Sequence, residues 1–468
     1  MRVAVVGAGV GGLAAAIELA AAGHRVTVFE RSAAPGGKCA RVERGGFRWD
    51  AGPSLLTMPW VFAELELELL RVEPVTRYEF ADGSTVELSA DLPRALAALE
   101  AWSPGTGSDW ARFLGTCASM WQASERFLTG PPPWPPRRMD PPPDPRDALR
   151  VKPWWTLHDL ARAHTRDPRL RMIIERFATY AGADPRRAPA ALAVAGYVEH
   201  AFGAWHPRGG MYELVLAMVR RLEAAGGELR LGEPVERIEV ARGRARGVVT
   251  ASGAFAADVV VTDVDEAVVR RRLLGPAGKG ASGAGTAGAS GAAARIVARA
   301  RGDRERERSL SGLALLLGVR GERADAHHRI LFPADYHAEF DDIFVHRRMP
   351  RDPTIYVSAP SVTDPGEEAW FALVNAPAGP ADWDATERQV VERLGVDVVE
   401  RARVTPRDLG GAIYGAAPHG RLASLRKPGN RIRGIDNLWL TGGTVHPGGG
   451  LPLVTLGGRS VARQIGPA

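Results

Sequence analysis

The chain has 468 residues, 45% of them hydrophobic, which suffices for a packed core and two intertwined domains. Its 60 Lys and Arg residues against 54 acidic residues give a net charge of +6 without a basic tail, which argues against nucleic-acid binding and suits a surface that faces anionic lipids. Cys39 and Cys117 form no CxxC pair, which excludes a disulfide framework and predicts residence in the reducing cytoplasm.

The opening of the chain predicts a strand–helix–strand unit. Residues 2–6 and 25–30 have the composition of buried strands, and the Ala- and Leu-rich residues 11–22 that separate them are typical of a helix. The first strand begins at once, leaving no room for a signal peptide, and no apolar stretch reaches the roughly 20 residues that span a bilayer. We therefore expect a soluble protein, or one bound peripherally on the inner face of the cell membrane.

The rest of the chain alternates between helical and β-rich stretches. Residues 55–205 are predicted to be mostly helical with a proline-rich loop at 130–144, residues 211–225 to be a helix, and residues 305–425 to be mixed. β-rich segments are predicted at 228–240, 248–256, 258–262 and 438–441, and a Gly- and Ala-rich flexible linker at 276–294. This pattern predicts a cofactor domain in three pieces, 1–70, 206–275 and 426–468, with a substrate domain inserted as 71–205 and 295–425.

The turn after the first strand carries Gly7, Gly9 and Gly12 in a GxGxxG pattern. Such glycines allow a tight turn, a close approach of a pyrophosphate to the backbone, and close helix–strand packing. The helix that follows directs free N–H groups at the phosphates. Glu30, at the end of the second strand, is placed to accept hydrogen bonds from ribose hydroxyls and to disfavour a 2′-phosphate. Together these residues predict a dinucleotide site.

Two further glycine turns extend this site. Gly36-Gly37-Lys38 follows soon after Glu30, and its lysine can reach a pyrophosphate. At the far end of the chain, residues 442–450 read Gly-Gly-Thr-Val-His-Pro-Gly-Gly-Gly directly after a predicted strand. A long cofactor held by both ends of the polypeptide fits FAD better than NAD.

These residues resemble the bacterial phytoene desaturase family of carotenoid desaturases, within the amine-oxidase-like FAD proteins. The matching stretches are 7–53, 176–190, 203–211, 328–344 and 437–452, so the resemblance covers nearly the whole chain. It implies an α/β fold in which a Rossmann-type FAD-binding domain carries an inserted mixed, largely helical substrate domain. It also implies FAD as the cofactor and a lipophilic polyene as the substrate.

The resemblance further implies which residues contact FAD. The opening glycines would hold the pyrophosphate and Glu30 the ribose, Val235 would contact the adenine, and the segment around Pro53 and the closing loop would lie along the ribityl chain and isoalloxazine ring. The full predicted set is Gly7, Gly9, Gly11, Gly12, Glu30, Arg31, Gly36, Gly37, Lys38, Gly52, Pro53, Ser54, Val235, Gly442, Gly443, His446, Gly449, Gly450, Leu451 and Pro452.

The implied reaction is dehydrogenation of a carotenoid, in which a hydride and a proton leave adjacent allylic carbons. Flavin N5 takes the hydride, so the protein mainly positions the reactants. His446, in the closing loop, is the candidate for the acid–base step, and a structural histidine that braces this loop is the alternative. We expect no metal, because His327, His328 and His337 have no carboxylate or cysteine at ligand spacing.

Other functions stay open on this scaffold. One is a flavoenzyme acting on another polyene, either a hydroxycarotenoid 3,4-desaturase, a carotenoid isomerase or a polyene macrolactam reductive cyclase. A non-enzymatic prenyl-lipid carrier of the same fold is another. Aromatic and basic residues mixed around the proline-rich loop suit a membrane interface, and an ordinary exposed loop is the alternative. These residues are Trp134, Arg137, Arg138, Arg150, Lys152, Trp154 and Trp155.

Overall fold

The computed structural model describes residues 1–130, 144–274, 307–420, 423 and 427–468. The predicted linker at 276–294 lies outside the described residues, as do Trp134, Arg137 and Arg138 of the proline-rich loop. Within the described ranges, helices and strands combine into the α/β architecture that the sequence predicts.

A five-stranded parallel sheet carries the nucleotide-binding unit. Its Val-rich central strands are buried on both faces, as expected when helices and hairpins cover a parallel sheet. From one edge to the other, the strands of this part of the described chain are Leu438–Leu440, Val259–Thr262, Arg2–Val6, Arg25–Phe29 and Glu228–Arg230. The sheet therefore gathers strands from the beginning, the middle and the end of the chain.

Two long helices pack together over this sheet, Val10–Ala21 near the N-terminus and Leu451–Ile465 near the C-terminus. A Cβ atom at Gly458 would lie 2.4 Å from the Gly11 carbonyl oxygen and 2.9 Å from the Ala14 Cβ, so small residues allow the close approach. On the other face, the strands Val235–Ala241, Arg244–Thr250 and Gly253–Ala256 form an antiparallel sheet that shares a core cluster with Val6 and Phe29.

A second, mixed sheet of seven strands joins two distant parts of the described chain. Its order is Asp397–Val404, Ser311–Arg320, Ala369–Ala376, Ile355–Ser358, His328–Leu331, Thr76–Glu79 and Thr85–Leu88. The hairpin formed by the last two strands belongs to a stretch whose pattern predicts mostly helix. It joins the sheet through parallel pairing of Arg77 with Arg329, a long-range contact that local patterns do not reveal.

Helices dominate the chain between this hairpin and the next strand, Trp205–Pro207. Four of the N-termini are capped by polar side chains, for example Asp91 accepting from the Arg94 N–H and Thr156 forming a capping box with Asp159. Their apolar faces bury large aromatics such as Trp110 and Phe113. The helices are Leu92–Trp102, Thr106–Thr129, Pro145–Arg150, Leu157–His164, Pro168–Glu175 and Val194–Phe202.

Smaller elements complete the described fold. Arg41–Arg44 pairs with Phe47–Asp50, and Leu69–Arg71 pairs with Trp205–Pro207. The remaining helical segments are Pro59–Leu65, Arg176–Ala181, Ala190–Ala193, Glu213–Ala224, Glu266–Val268, Val269–Leu273, Tyr336–Phe340, Asp341–Val345, Pro360–Val362 and Trp383–Leu394. Both cysteines are buried and free.

Candidate functional site: a glycine cradle built by both ends of the chain

One end of the candidate site is the N-terminus of the helix Val10–Ala21, where the sequence predicts the phosphates. Its N-cap residue, Gly9, makes no side-chain capping bond, and the first N–H groups of any helix have no partner within it. A Cβ atom at Gly12 would lie 2.2 Å from the Gly7 carbonyl oxygen, so only glycine lets this helix begin so close to the strand. The first turn of this helix presents backbone N–H groups of the kind that bind phosphates, and the Gly12 N–H donates to the Asp263 carboxylate.

Glu30 lies beside this helix terminus, at the end of the strand Arg25–Phe29. Its side chain is buried, and backbone N–H groups hold both carboxylate oxygens, with Ala8 donating to Oε2 at 2.8 Å and Ser32 donating to Oε1 at 2.9 Å. Each carboxylate oxygen accepts more than one hydrogen bond, so the fixed carboxylate keeps capacity for two ribose hydroxyls. Val235 lies two residues after Glu233, whose N–H donates to the Glu30 carbonyl at 2.8 Å.

The second glycine turn packs directly on the first. The Gly36 N–H donates to the Ala8 carbonyl at 2.8 Å, and a Cβ at Gly37 would lie 3.3 Å from the Gly9 Cα. Lys38 donates from Nζ to the Ile413 carbonyl at 2.5 Å. The predicted residues of the two turns therefore lie together, with Lys38 at the rim of the cradle.

The segment 52–54 continues the same surface toward the seven-stranded sheet. A Cβ at Gly52 would lie only 1.8 Å from the Lys38 carbonyl oxygen, so the two backbones are in direct contact. Ser54 then reaches the seven-stranded sheet, where its Oγ lies 2.5 Å from the Tyr356 hydroxyl oxygen. Thus one continuous backbone surface runs from the phosphate end at Gly9 to Ser54.

The closing loop meets the opening turn at the carboxyl ends of the parallel strands. The Thr441 N–H donates to the Thr262 carbonyl at 2.9 Å, and a Cβ at Gly11 would lie 3.0 Å from the Gly442 nitrogen. Gly442 has φ +91°, which favours glycine there. The predicted residues Gly443, Gly449 and Gly450 follow in this loop, and Leu451 and Pro452 begin the last helix.

Among the predicted site residues, Arg31 has the weakest structural link to the cradle. Its side chain is exposed just beyond Glu30, and no described contact directs it into the cradle. Its assignment to the cofactor stays a prediction, as do the individual roles of the other residues in the set.

His446 is fixed within the closing loop by three hydrogen bonds. The His446 Nε2 donates to the Gly130 carbonyl at 3.1 Å, and the His446 backbone N–H donates to the Pro428 carbonyl at 2.8 Å. The Asn430 side-chain amide donates to the His446 carbonyl at 2.8 Å. Burial lowers the pKa of His446 to about 4, so the ring is neutral at pH 7. These contacts support the interpretation of His446 as a brace for the loop, and its catalytic role stays a prediction.

Asp263 is a site residue that sequence reasoning missed. It follows the strand Val259–Thr262 and lies against the opening and closing loops, where a Cβ at Gly9 or Gly442 would meet its carboxylate. Burial raises its pKa to about 7, although the Gly12 N–H donates to it. An acid directly after a parallel strand, at the edge where cofactors bind, was the available signal.

A buried ion-pair cluster lies outside the cradle, among residues 78–199. Arg176 and Glu199 form an ion pair at 3.1 Å, with both side chains almost fully buried. Arg176 also donates from Nε to the Tyr78 hydroxyl at 2.8 Å, and Tyr180 donates to Glu199. A buried pair of this kind holds elements together only while both partners are present.

One group of histidine and acidic side chains in the described ranges has its ligand atoms close together: His158, Glu175 and His337. Its two imidazoles already hydrogen-bond the two Glu175 oxygens, at 2.6 Å from His158 and 2.7 Å from His337. The fold thus gives His337 a carboxylate neighbour that sequence spacing does not show. The three side chains satisfy one another as a hydrogen-bonded triad, and the expectation of no metal stays a prediction.

The cradle has the properties that an FAD requires. Backbone N–H groups face the phosphate position, a fixed carboxylate stands where the ribose would lie, and a backbone surface extends from there to Ser54. Glycines in the two ends of the chain leave this surface without side chains of its own, and the Asp263 carboxylate lies against it. The fold and the site define a flavin-dependent oxidoreductase.

Comparisons with known proteins agree with this class. Residues 10–282 match the family model described as flavin containing amine oxidoreductase. The chain is 34% identical to the hydroxyneurosporene desaturase of Rubrivivax gelatinosus and 31% identical to the zeta-carotene-forming phytoene desaturase of Myxococcus xanthus, in each case over 99% of this chain and 93% of the relative. An oxidoreductase from Methanosarcina mazei has the same fold, with a TM-score of 0.63, 19% identity, and coverage of 99% of this chain and 100% of its own.

The chain therefore belongs to the flavin-containing amine oxidoreductase family, with carotenoid desaturases as full-length relatives. It is an FAD-dependent oxidoreductase, as the sequence predicts.

Within the part of the chain that the structure describes, no helix combines the length and apolar character needed to cross a bilayer.

Proposed function

We propose that this enzyme is a carotenoid desaturase that introduces double bonds into an acyclic carotenoid. The observation that carries the proposal is the pairing of a complete glycine cradle with full-length similarity, at 34% and 31% identity, to two enzymes named as carotenoid desaturases. An FAD bound in the cradle supplies the two-electron acceptor for the hydride that leaves the substrate.

The residues of this chain have positioning roles in such a reaction. The first helix and Glu30 would hold the nucleotide end of the cofactor, and the backbone from Gly37 to Ser54 would lie along the part that extends toward the seven-stranded sheet. A hydride transfer needs this orientation of the reactants more than it needs a nucleophile.

A hydroxylated acyclic carotenoid is the second substrate candidate. It is supported by the 34% identity with the hydroxyneurosporene desaturase of Rubrivivax gelatinosus, and by a second relative with that name from Cereibacter sphaeroides, also 34% identical. Under this alternative, the reaction at the flavin is unchanged and only the polar end of the substrate differs.

Membrane contact belongs to the same proposal, because carotenoids are confined to lipid. Leu149 is 58% exposed and lines a cavity of about 580 Å³ together with Arg112, Arg150 and Lys152. Trp154, two residues after Lys152, is 47% exposed. Exposed apolar side chains next to cationic ones suit the surface of an anionic bilayer. We expect the enzyme to sediment with anionic vesicles, and the variant L149S/W154S to lose that binding while V362S, altered at another exposed apolar residue, keeps it.

Production of the enzyme in bacterial hosts that accumulate either phytoene or 1-hydroxylated carotenoids tests the function. A desaturase yields products that absorb at longer wavelength and have lost two hydrogen atoms for each new double bond. Product of unchanged mass would indicate an isomerase, and no product in either host, with FAD bound, would refute the proposal. G12V, which we expect to lack FAD, is the matched negative control.

A further inference from the structure

Three buried histidines meet where the segment 52–54 reaches the seven-stranded sheet. His206 lies on the strand Trp205–Pro207, and His327 and His328 lie at the start of the strand His328–Leu331. Their exposed fractions are 1%, 1% and 0%. The ring centroids of His206 and His327 are 5.0 Å apart, and those of His327 and His328 are 4.4 Å apart. None of the predicted site residues is a member of this histidine cluster.

The histidine cluster has unmet hydrogen-bonding capacity. Both ring nitrogens of His206 have no partner among the described residues, and neither do Nε2 of His327, Nε2 of His328 and Oγ of the neighbouring Ser358. Leaving a buried polar atom unpaired is unfavourable. The Ser54 backbone lies within hydrogen-bonding reach of His206 and His328, and water molecules are small enough to serve the remaining capacity.

The inner end of the histidine cluster adjoins the cradle. The His328 ring stacks on the Tyr356 ring at 5.7 Å, and the Tyr356 hydroxyl oxygen is 2.5 Å from Ser54 Oγ. The Ser54 backbone faces both His328 and His206. Since Ser54 ends the backbone surface that begins at Gly9, the histidine cluster begins where the reactive end of the cofactor would lie.

The outer end of the histidine cluster reaches the surface. His327 Nδ1 and Thr363 Oγ1 share a hydrogen bond of 2.7 Å, and Thr363 is only half-buried. His206 lines a small cavity of about 60 Å³ together with Asp50 and Asp364. A cavity needs only about 10–15 Å³ to hold a water molecule, so water fits here. The histidines thus connect the interior with solvent.

All three imidazoles are neutral at pH 7. Burial lowers the pKa of His206 and of His328 to about 4, and it lowers that of His327 further, with help from the two neighbouring rings. A neutral imidazole has one N–H and one bare nitrogen, so it accepts a proton on one side and gives one up on the other. A chain of such rings with water between them conducts protons.

We propose that His328, His327 and His206 form a relay that carries the proton released by desaturation to solvent at Thr363. This inference rests on the proposed desaturase function and deepens it. Each new double bond breaks two C–H bonds, of which one gives a hydride to the oxidised flavin, reducing it by two electrons. The other releases a proton, and its electron pair becomes the second bond between the carbons. The proton enters at His328 and leaves to water beside Thr363 and Asp364.

Stopped-flow reduction of the FAD-loaded enzyme by a carotenoid, without oxygen and with a pH indicator in weak buffer, tests the relay. In the wild type, flavin bleaching and proton release should coincide. H206A and H328A should slow proton release by about a hundredfold, the scale of general acid–base effects. Added imidazole should restore much of the rate in H206A, because His206 borders the surface cavity.

Two further variants separate a relay from a structural role. T363V alters a half-buried residue at the outer end and should slow proton release less than the histidine variants. H24Q alters a histidine that is equally buried but bonded to the Gly466 carbonyl, far from the histidine cluster, and should leave both rates unchanged. The relay would be overturned if flavin bleaching and proton release coincided at wild-type rates in H206A and H328A with FAD bound. It would also be overturned if proton release were slow in H206A and added imidazole did not speed it.

A substrate-free measurement distinguishes failure of the relay from failure of the proposed function. In protein labelled with ¹⁵N-histidine, a relay open to solvent requires that the ring N–H groups of His206 and His327 exchange with deuterium faster than that of His24. T363V should slow the exchange at His327. Rings that exchange no faster than His24 would refute the relay whether or not any carotenoid reduces the flavin.

Discussion

The glycine cradle and the buried side-chain clusters place polar groups inside the protein in opposite ways. The cradle uses backbone groups, with glycines that bring strand ends, helix ends and loops within van der Waals distance. The side-chain clusters join residues from distant positions, such as Arg176 with Glu199 and His206 with His327. Each part of the cradle is a short glycine-rich segment that can be recognised locally and that the fold joins to the others, whereas the side-chain clusters join single residues that no local motif marks.

The largest effect should come from disturbing the backbone-built site. A valine at position 12 places its Cβ 2.2 Å from the Gly7 carbonyl oxygen, so the helix must move away from the phosphate position. We expect G12V to bind FAD at least about a thousandfold more weakly, or about 4 kcal/mol. The ratio of flavin to protein absorbance after purification measures this.

G115A is the matched control for that variant, because a Cβ at Gly115, within a helix, meets nothing within 4 Å. It should retain FAD at the wild-type ratio. Wild-type FAD content in G12V would contradict the assignment of this helix terminus as the phosphate site.

The next largest effect should come from breaking a side-chain cluster. In E199L the guanidinium of Arg176 stays buried without its partner, which destabilises a protein by about 3–5 kcal/mol. Denaturant unfolding measures the loss. The double variant R176M/E199L, which removes both charges, should recover most of the stability, and equal stability of the single variant and the wild type would show that the pair is not buried as described.

A smaller effect is expected at Glu30, where a side chain completes the backbone-built site. E30Q keeps the shape but removes the charge that strengthens hydrogen bonds with ribose hydroxyls and with the Ala8 and Ser32 N–H groups. We expect FAD affinity to fall by about 1.5 kcal/mol, the lower range for charge-assisted hydrogen bonds. Titration of the flavin-free protein with FAD measures it, and unchanged affinity would remove Glu30 from the site.

The smallest effect concerns pH and the triad of His158, Glu175 and His337. Burial alone would raise the pKa of Glu175, but the two histidines outweigh it and hold it below 4.5; the bond to Glu175 holds the pKa of His337 above 6.5. The Glu175 contribution to stability is therefore present above pH 4.5 and is lost as the pH falls. The His337 contribution is present below pH 6.5 and is lost as the pH rises through its folded-state pKa.

Relative to the wild type, E175Q should therefore lose the most stability between pH 4.5 and pH 6.5. At pH 8.5 the loss of stability should be smaller by about 1 kcal/mol, a modest difference because the partly exposed histidines weaken the effect. Urea unfolding from pH 4 to 8.5 tests this. H346Q, at an exposed histidine, should show no such pH dependence. A stability difference that does not change with pH would mean that the triad carries no charge pair.

Sequence reasoning succeeded where function follows from local spacing. GxGxxG between a strand and a helix, Glu30 at the next strand end and the closing glycine loop are each readable from short stretches, and the fold brings these loops together. Asp263 was missed because a single acid after a strand has no motif. It becomes noticeable only when the parallel order of the sheet places it between the two loops.

The inserted region was less predictable because its contacts are long-range. The hairpin Thr76–Leu88 lies in a stretch that the sequence pattern predicts to be mostly helical. Pairing with residues 329–331 holds this hairpin in the seven-stranded sheet. His206 and His327 are more than a hundred positions apart, and nothing in their neighbouring sequence indicates that their rings meet. For such groups, each local pattern is compatible with an ordinary core or surface residue.

Anaerobic mixing of the FAD-loaded enzyme with phytoene or a 1-hydroxylated acyclic carotenoid in anionic liposomes tests the central claim most directly. The account predicts that the flavin absorbance bleaches while longer-wavelength polyene bands appear, and that G12V shows neither change. An enzyme with bound FAD whose flavin stays oxidised with both substrates would contradict it.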